Sequence, residues 1–390
     1  MNAVRAAALG AILTLGLLPA AGSAAPEPYV VDTIVSLTGQ GAFLGTAEAA
    51  TLAALEERIN KSGGIGSRPI HFAIQDDQSN PQIAVQLTGP ILAKHPAIVM
   101  GSSLVAACNA MAALMKNGPV QFCFSSGFHP AAGSYGFAYG VSTDELIAVT
   151  VKYFHDRGWK RVAIITSTDA SGQDGERGFD VALGAAENRD MTVVARQHFN
   201  NSDVSVAAQM AVIKAANPDA LITWSSGTPF ATLLRGAQDV GLAVPVTASA
   251  ANLSYEQFKQ LAPLLPKTLD IAAMPSVALD SLPPGRVKNA VRDYVQTIAA
   301  QGLHADNNHG IPWDPASIVV AALRRLGPNA TADQIRDYIA NLHDWPGIIG
   351  EYDFRDGSQR GVGRKNGIVV RWDPAKQTWV AVSKFGGTPI

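Results

Sequence analysis

The chain carries few charges for a protein of 390 residues. Asp, Glu, Lys and Arg make up 16% of it, against roughly 25% in ordinary soluble domains, so much of the surface must be neutral or buried. The 30 basic and 32 acidic residues give a formal net charge of −2, and no basic stripe indicates nucleic-acid binding. Beyond the N-terminal region the sequence also lacks an apolar run long enough to cross a bilayer.

Sequence patterns for catalysis and for metal binding are missing as well. No G-x-S-x-G nucleophile elbow occurs, no histidine has an acidic partner at a recognisable spacing, and no cluster shows metal-ligand spacing. Gly39, Gly41 and Gly45 approach a dinucleotide fingerprint, but Leu44 stands where the third glycine should be. We therefore expect no enzyme activity, no cofactor and no metal. The glycines instead predict a flexible loop that brings backbone amides and Phe43 to a ligand.

Cysteine is limited to Cys108 and Cys123, which fall on a predicted helix and on the strand that follows it. Export would permit a disulfide between them. A bridge, however, requires that the helix and its next strand present facing Cβ atoms. The prediction from sequence favours two buried thiols over a bridge.

The first 25 residues contain the one long apolar stretch. Arg5 precedes an apolar run over residues 6–18, Pro19 ends the run, and small residues follow as far as Ala25. This order is typical of a secretory signal peptide and is too short for a membrane span. We expect cleavage after Ala24 or Ala25 and export of the mature chain to the periplasm or outside the cell.

Strand-like and helix-like segments alternate along the rest of the chain. Two successive sets of four β-α units extend to about residue 247, which predicts two similar lobes with parallel sheets. From residue 268 three helices come first, and a β-rich tail that can pass back between the lobes follows. We expect lobe one to span 27–143 and 275–348, and lobe two to span 144–274 and 349–390.

Serine pairs follow several of the predicted strands. In an open α/β sheet, ligands bind beyond the carboxyl ends of the strands, where hydroxyl and backbone N–H groups suit a small polar or anionic molecule. Helix capping alone is the alternative for each pair, and the recurrence at several strand ends favours binding. The pairs are Ser102-Ser103, Ser125-Ser126 before Gly127, and Ser225-Ser226 before Gly227.

Aromatic residues near element ends could form the walls of such a cleft. Trp224 and Trp313 are the strongest candidates, because each stands at an element boundary beside polar residues. Packing in the core is the alternative for either of them.

Several short segments match the motifs of a known family: Ser36–Gly39 with Gly45, Ile59–Ile65, Asp76–Pro81, Gly101–Ser103 and Trp313–Ala316. From about residue 28 onward the chain resembles the periplasmic solute-binding proteins of branched-chain amino-acid-type ABC transporters, the leucine/isoleucine/valine-binding protein family. The resemblance implies a type I periplasmic-binding fold, in which two α/β lobes with parallel sheets, joined by three crossovers, close over a ligand in the cleft between them. It also implies an inner-membrane ABC permease as partner.

The resemblance also assigns site residues by position. Ser102, Ser103 or Leu104 would belong to the first carboxylate-binding loop, and the segment 125–127 to the second. The aromatic-Gly pair of the family is replaced here by Ser171-Gly172, and the loop 247–252 lacks the acidic residue that amino-acid binders usually place there. Both departures argue against a branched-chain amino acid as ligand. The expected ligand-binding residues are Phe43, Ser102, Ser103, Leu104, Ser125, Ser126, Gly127, Ser171, Trp224, Ser225, Ser249 and Trp313.

These observations together predict an exported, monomeric, non-enzymatic receptor. It would capture a small organic solute and deliver it to the permease. The solute would be a carboxylate, for example an aromatic acid, or else an amino acid. An extracellular sensing module of a signalling system is the first alternative, and a secreted hydrolase is the second.

Overall fold

The computed structural model describes residues 26–390, and the predicted signal peptide lies outside the described residues. Among residues 26–390, no helix combines the length and the apolar character that a membrane span requires.

Five parallel strands form the first sheet, in the order β2-β1-β3-β4-β5. Helices on both faces bury strands of mainly apolar residues, as in doubly wound α/β proteins. Local signals set the helix starts: Asn80 accepts a hydrogen bond from the N–H of Gln82 at 2.9 Å, with Pro81 at the first helical position. The elements are β1 Tyr29–Val35, α1 Ala42–Lys61, β2 Ile70–Asp76, α2 Pro81–Leu92, β3 Ile98–Gly101, α3 Val105–Leu114, β4 Val120–Cys123 and β5 Gly136–Ala138.

The second sheet repeats this plan, with four parallel strands in the order β7-β6-β8-β9. Strand β6 pairs with β7 on one side and with β8 on the other, just as β1 pairs with β2 and β3 in the first sheet. The elements are α4 Thr143–Asp156, β6 Arg161–Ser167, α5 Ala170–Gly184, β7 Thr192–Phe199, α6 Ala207–Ala215, β8 Ala220–Trp224, α7 Pro229–Asp239, β9 Val246–Thr247, α8 Tyr255–Leu261 and β10 Asp270–Ala273.

The last third of the chain contributes helices to the first lobe and strands to the second. Its helices pack on the first lobe, where α9, α10 and α11 contact α1. The tail then returns to the second lobe, because β13 pairs antiparallel with β10 and with β14, and β10 continues the second sheet through a bridge from Leu269 to Val246. The elements are α9 Arg286–Ala299, α10 Asn307–Gly310, α11 Trp313–Leu326, α12 Ala332–Ala340, β11 Trp345–Pro346, β12 Glu351–Tyr352, β13 Ile368–Asp373 and β14 Thr378–Ala381.

This topology is the predicted α/β fold with two parallel-sheet lobes. The chain leaves the first lobe after β5, returns to it after β10 and leaves it again before β13, which gives three crossovers. The residue boundaries of the lobes given above stay a prediction.

The disulfide expectation was wrong. Cys108 and Cys123 are bridged, with their Cα atoms 5.9 Å apart. Cys108 lies in the first turn of α3 and Cys123 at the end of β4. Because α3 starts beside the carboxyl end of β3, its first turn faces the end of the neighbouring strand β4, and the two Cβ atoms meet there.

Candidate ligand-binding site

A cavity of about 220 Å³ lies between the carboxyl ends of the two sheets. Eight of the twelve residues expected to bind ligand line it: Ser103, Leu104, Ser125, Ser126, Gly127, Ser171, Trp224 and Ser249. The other lining residues include Gln40, Leu44, Ser79, Phe124, Tyr139, Thr143, Leu146, Asp169, Ser226, Asn307 and Ile311.

The N-terminus of α3 forms one polar side of the cavity. Leu104, Val105 and Ala106 line it, and the first intrahelical bond runs from the N–H of Cys108 to the carbonyl of Leu104 at 2.9 Å. The N–H groups ahead of Cys108 have no partner within the helix and carry partial positive charge. Such a helix end suits an anionic group.

The loop after β4 forms the adjoining side, and a buried arginine sets its shape. Arg360 donates to the carbonyl of Ser126 at 2.8 Å and to the carbonyl of Phe128. It also donates to the carbonyls of Tyr139 and Gly140 at 3.1 and 3.2 Å. These contacts hold the loop carbonyls away from the cavity, which Ser126 and Gly127 line.

The charge of Arg360 is held among neutral carbonyls. Its burial lowers the pKa to about 10, and the carboxylates of Asp144, Glu145 and Asp174 oppose that shift. Sequence inspection did not identify Arg360, because a single arginine in a glycine-flanked tail carries no motif.

The second lobe contributes a serine pair and an indole. The hydroxyls of Ser171 and Ser226 lie 3.0 Å apart. Trp224 is held in place by Phe179, whose ring centroid lies 5.5 Å from its own in a T-shaped contact. Gly175 makes this packing possible, because a Cβ there would lie 2.4 Å from the indole.

The acidic residue that lines the cavity, Asp169, accepts three internal hydrogen bonds, two at Oδ1 and one at Oδ2. It accepts hydrogen bonds from the N–H of Gly172 at 2.9 Å, from the Ser167 hydroxyl at 2.7 Å and from the Asn201 amide at 2.8 Å. It caps α5 in this way, so it offers little to a ligand ammonium group.

A second carboxyl group, Glu48, lies behind the cavity wall. Glu48 is fully buried, and Ser103 donates its hydroxyl to it. Burial raises the pKa of Glu48 to about 8, opposed by the Ser103 hydrogen bond and reinforced by Asp77. Glu48 is therefore protonated at neutral pH and adds no negative charge beside the α3 N-terminus.

The remaining wall is mixed. Leu44 and Ile311 are apolar, whereas Tyr139 and Asn307 bring a phenol and an amide. Burial raises the pKa of Tyr139 above its ordinary value, and the carboxyl groups of Asp314, Glu48 and Asp306, where ionised, act in the same direction.

Two of the serines expected in the site point elsewhere. Ser102 donates its hydroxyl to Asp77, which also accepts from Ser36 at 2.7 Å, so Ser102 ties strand ends together. Ser225, directly after β8, is buried outside the cavity, and its carbonyl accepts from the Asn252 amide at 2.9 Å. Ser226 lines the cavity in its place, as the alternation along an extended segment requires.

Two expected aromatic walls also lie outside the cavity. The expected loop around Phe43 is already helical, because α1 begins at Ala42, and the helical turn directs Leu44 to the cavity instead. Trp313 packs against Tyr294, with ring centroids 5.2 Å apart, and lies under Arg58 at 5.6 Å.

The lobes are in contact at the mouth of the cavity. The N–H of Thr228 donates to the carbonyl of Gln40 at 3.4 Å, and His129 lies 2.9 Å from Asp174. Gly227 permits this approach, because a Cβ there would lie 2.0 Å from the Gln40 carbonyl oxygen. The arrangement is therefore a closed cleft. Within residues 26–390, no group of three or more His, Cys, Asp or Glu could hold a metal.

A closed cavity between two such lobes agrees with the comparison to known families. The family profile described as "Periplasmic binding protein" matches residues 31–377. The chain belongs to that family. The predicted type I periplasmic binding protein family is thereby confirmed, and a solute-binding role follows for this periplasmic binding protein.

Solved structures show the same fold at low identity. An extracellular ligand-binding receptor from Rhodopseudomonas palustris HaA2 is 19% identical, with a TM-score of 0.80 over 90% of this chain and 99% of that one. The Streptococcus pneumoniae substrate-binding protein LivJ, in complex with isoleucine, is 17% identical, with a TM-score of 0.77 over 91% and 99%.

An ABC-transporter solute-binding protein from R. palustris, in complex with benzoate, is also 17% identical to this periplasmic binding protein, with a TM-score of 0.78 over 93% of this chain and 97% of that one. No curated protein matches the sequence.

Proposed function

We propose that this periplasmic binding protein captures a small carboxylic acid without an α-ammonium group and delivers it to an inner-membrane ABC permease. The observation that carries the proposal is the convergence of the α3 N-terminus and the loop 125–127 on one closed cavity. Backbone N–H groups and serine hydroxyls there match a carboxylate. We further propose that the protein acts in the periplasm, as a monomer and without chemical change to the ligand.

The absence of a suitable acidic partner argues against an α-amino acid. A buried ammonium group needs an acceptor, preferably charged. Asp169 is occupied by three donors, and the loop at Ser249 brings no acid to the cavity. Asp314 lies outside the cavity, is fully buried and accepts from the Ile348 N–H at 3.0 Å and from the Tyr352 hydroxyl at 3.0 Å.

The body of the ligand would lie against Trp224, Phe124, Leu104 and Leu146, which suits an apolar or aromatic group. Relatives of this fold bind an amino acid or an aromatic acid: isoleucine in one structure and benzoate in another. The composition of the cavity favours the second kind of ligand.

Native mass spectrometry of gently purified protein tests the proposal, followed by thermal denaturation with the identified ligand. A ligand that binds only the folded protein stabilises it by about 2.7 kcal/mol at a hundredfold excess over Kd, which raises Tm by several degrees. We expect a carboxylic acid that is recovered unchanged. A co-purified α-amino acid would contradict the ligand class, and turnover would contradict the binding role.

A further inference from the structure

Two buried polar groups in the cavity wall have no hydrogen-bond partner among the described residues. The Tyr139 hydroxyl and the Asn307 Oδ1 are both unpaired, and each side chain is only 2% exposed. Both residues line the cavity. An unpaired buried polar group costs about 1–3 kcal/mol, so a native protein normally supplies it with a partner.

The two groups belong to the same lobe. Asn307 begins the short helix α10, directly after Asp306, and α10 packs on α1. Tyr139 directly follows β5, the edge strand of the first sheet. Both side chains therefore reach the cavity from the first lobe.

The Asn307 amide is oriented with its nitrogen towards Asn308. Its Nδ2 donates to the Oδ1 of Asn308 at 3.4 Å, which leaves the Oδ1 of Asn307 as the unpaired atom. The cavity thus offers an acceptor at Asn307 and, at Tyr139, a hydroxyl that can donate as well as accept. A hydroxyl group, which both donates and accepts, satisfies the two at once, whereas a group that only accepts does not.

We propose that the ligand carries a hydroxyl group away from its carboxylate, donating to Asn307 and accepting from Tyr139. This inference rests on the proposed function and narrows it to hydroxylated carboxylic acids. A carbonyl group would leave the Asn307 oxygen without a donor.

An ammonium group at this end of the ligand, away from the carboxylate, would need a charged partner, and the residues around Tyr139 and Asn307 do not provide one. Glu48 is held protonated, because burial raises its pKa to about 8. Asp306 already accepts from the N–H of His309 at 3.0 Å and from that of Tyr255 at 2.8 Å, and its other close contact is the His309 ring at 2.7 Å.

Calorimetric titration with matched acids tests the inference. The three pairs are 4-hydroxybenzoate with benzoate, 4-hydroxyphenylacetate with phenylacetate, and 6-hydroxyhexanoate with hexanoate. Each pair keeps the carboxylate and removes only the hydroxyl. We expect the hydroxylated member of at least one pair to bind about tenfold tighter or more, because a site with buried polar groups discriminates against an analogue that leaves them unpaired.

Variants assign the effect to the two residues. Tyr139→Phe and Asn307→Leu should each reduce that preference about fivefold or more, by weakening the hydroxylated acid and leaving the unsubstituted acid nearly unchanged. Tyr352→Phe is the matched control, since its hydroxyl donates to Asp314 at 3.0 Å outside the cavity. It should keep the preference of the wild type.

The outcomes separate this inference from the proposed function. Equal or tighter binding of the unsubstituted acids by the wild type would overturn the inference and leave the proposed function standing. A preference that survives both Tyr139→Phe and Asn307→Leu would overturn the assignment to these residues. Failure of all six acids to bind at millimolar concentration would contradict both proposals. The wild-type comparison remains decisive even if a variant does not fold.

Discussion

Adjacent serines at the strand ends have different surroundings. Ser226 lines the cavity, whereas the preceding Ser225 is buried outside it. The sequence predicted that serines gather at the carboxyl ends of the strands, since that follows from the β-α alternation. It could not tell which of these serines face the cavity: Ser125 and Ser126 both line it, but Ser103 and Ser226 line it without Ser102 and Ser225.

We predict that Ser126→Ala weakens binding of the carboxylic acid by about 1–3 kcal/mol, because a buried carboxylate loses a hydroxyl donor. Ser225→Ala is the matched control and should leave Kd within about twofold, since Ser225 lies outside the cavity. Calorimetric titration of both variants measures the difference. If the two substitutions changed Kd equally, the Ser126 hydroxyl would not be a ligand contact.

Gly227 provides a second prediction at the residue scale. Gly227→Ala should weaken binding about tenfold or more, because a Cβ 2.0 Å from the Gln40 carbonyl holds the lobes apart and lowers the population of the closed state. Gly241→Ala is the control: its φ of +63° resembles the +79° of Gly227, but the nearest atom to its Cβ would be 3.7 Å away.

Both variants should therefore lose similar stability from the backbone conformation, and only Gly227→Ala should lose affinity and the compaction that small-angle scattering detects on ligand addition. An unchanged Kd in Gly227→Ala would contradict the closing contact.

The raised pKa of the buried Glu48 carboxyl group predicts that the stability of the protein depends on pH. Its pKa is raised from 4.5 to about 8 in the folded protein, so the folded state binds the proton more tightly than the unfolded chain. The stabilisation is complete below about pH 4.5 and is lost as the pH rises towards 8. Asp314, raised from 3.8 to about 7, acts in the same direction. Each group lowers the free energy of unfolding by up to about 1.4 kcal/mol per pH unit in this window.

Chemical denaturation at pH 5 and pH 7 measures this slope. Glu48→Gln should flatten it, whereas Glu57→Gln should not, because Lys61 lowers the pKa of the exposed Glu57 carboxyl. A wild-type slope that Glu48→Gln leaves unchanged would contradict a protonated Glu48.

At the scale of elements, α3 and β4 form the frame of the carboxylate end. The disulfide joins the first turn of α3 to the last residue of β4, and Arg360 fixes the loop that follows. Neither connection could be predicted, because each depends on the distance between elements that only the folded chain brings together. Helix α4 was missed although Ser142 and Glu145 carry a capping-box signal, with the two side chains 2.9 Å apart.

We predict that Cys108→Ser combined with Cys123→Ser destabilises the protein by about 3 kcal/mol, as expected for a bridge that closes a loop of 15 residues. Ligand affinity should fall as well, since the α3 N-terminus loses its attachment beside Ser125. Denaturant unfolding with and without reducing agent provides the control: the double variant should not respond to the reductant. A wild-type midpoint that is insensitive to full reduction would contradict this role.

At the scale of the whole molecule, the order of β-α units was enough to predict two parallel-sheet lobes, and the returning tail was predicted from its β-rich pattern. The part of the cavity wall that Tyr139 and Asn307 form was not predicted from the sequence. Tyr139 follows the three-residue strand β5, and Asn307 starts a helix of four residues. Elements this short leave little periodicity to read, so the residues that distinguish one ligand from another were the hardest to find.

The central claim is that the closed cavity holds a carboxylate and has no place for an α-ammonium group. Calorimetric titration with leucine against 4-methylpentanoate, and with valine against 3-methylbutanoate, tests it directly, because each pair differs only in that group. We expect each acid to bind at least about tenfold tighter than its amino acid, since an unpaired buried ammonium is costly. Tight binding of leucine or valine with no heat from the matching acids would contradict the account.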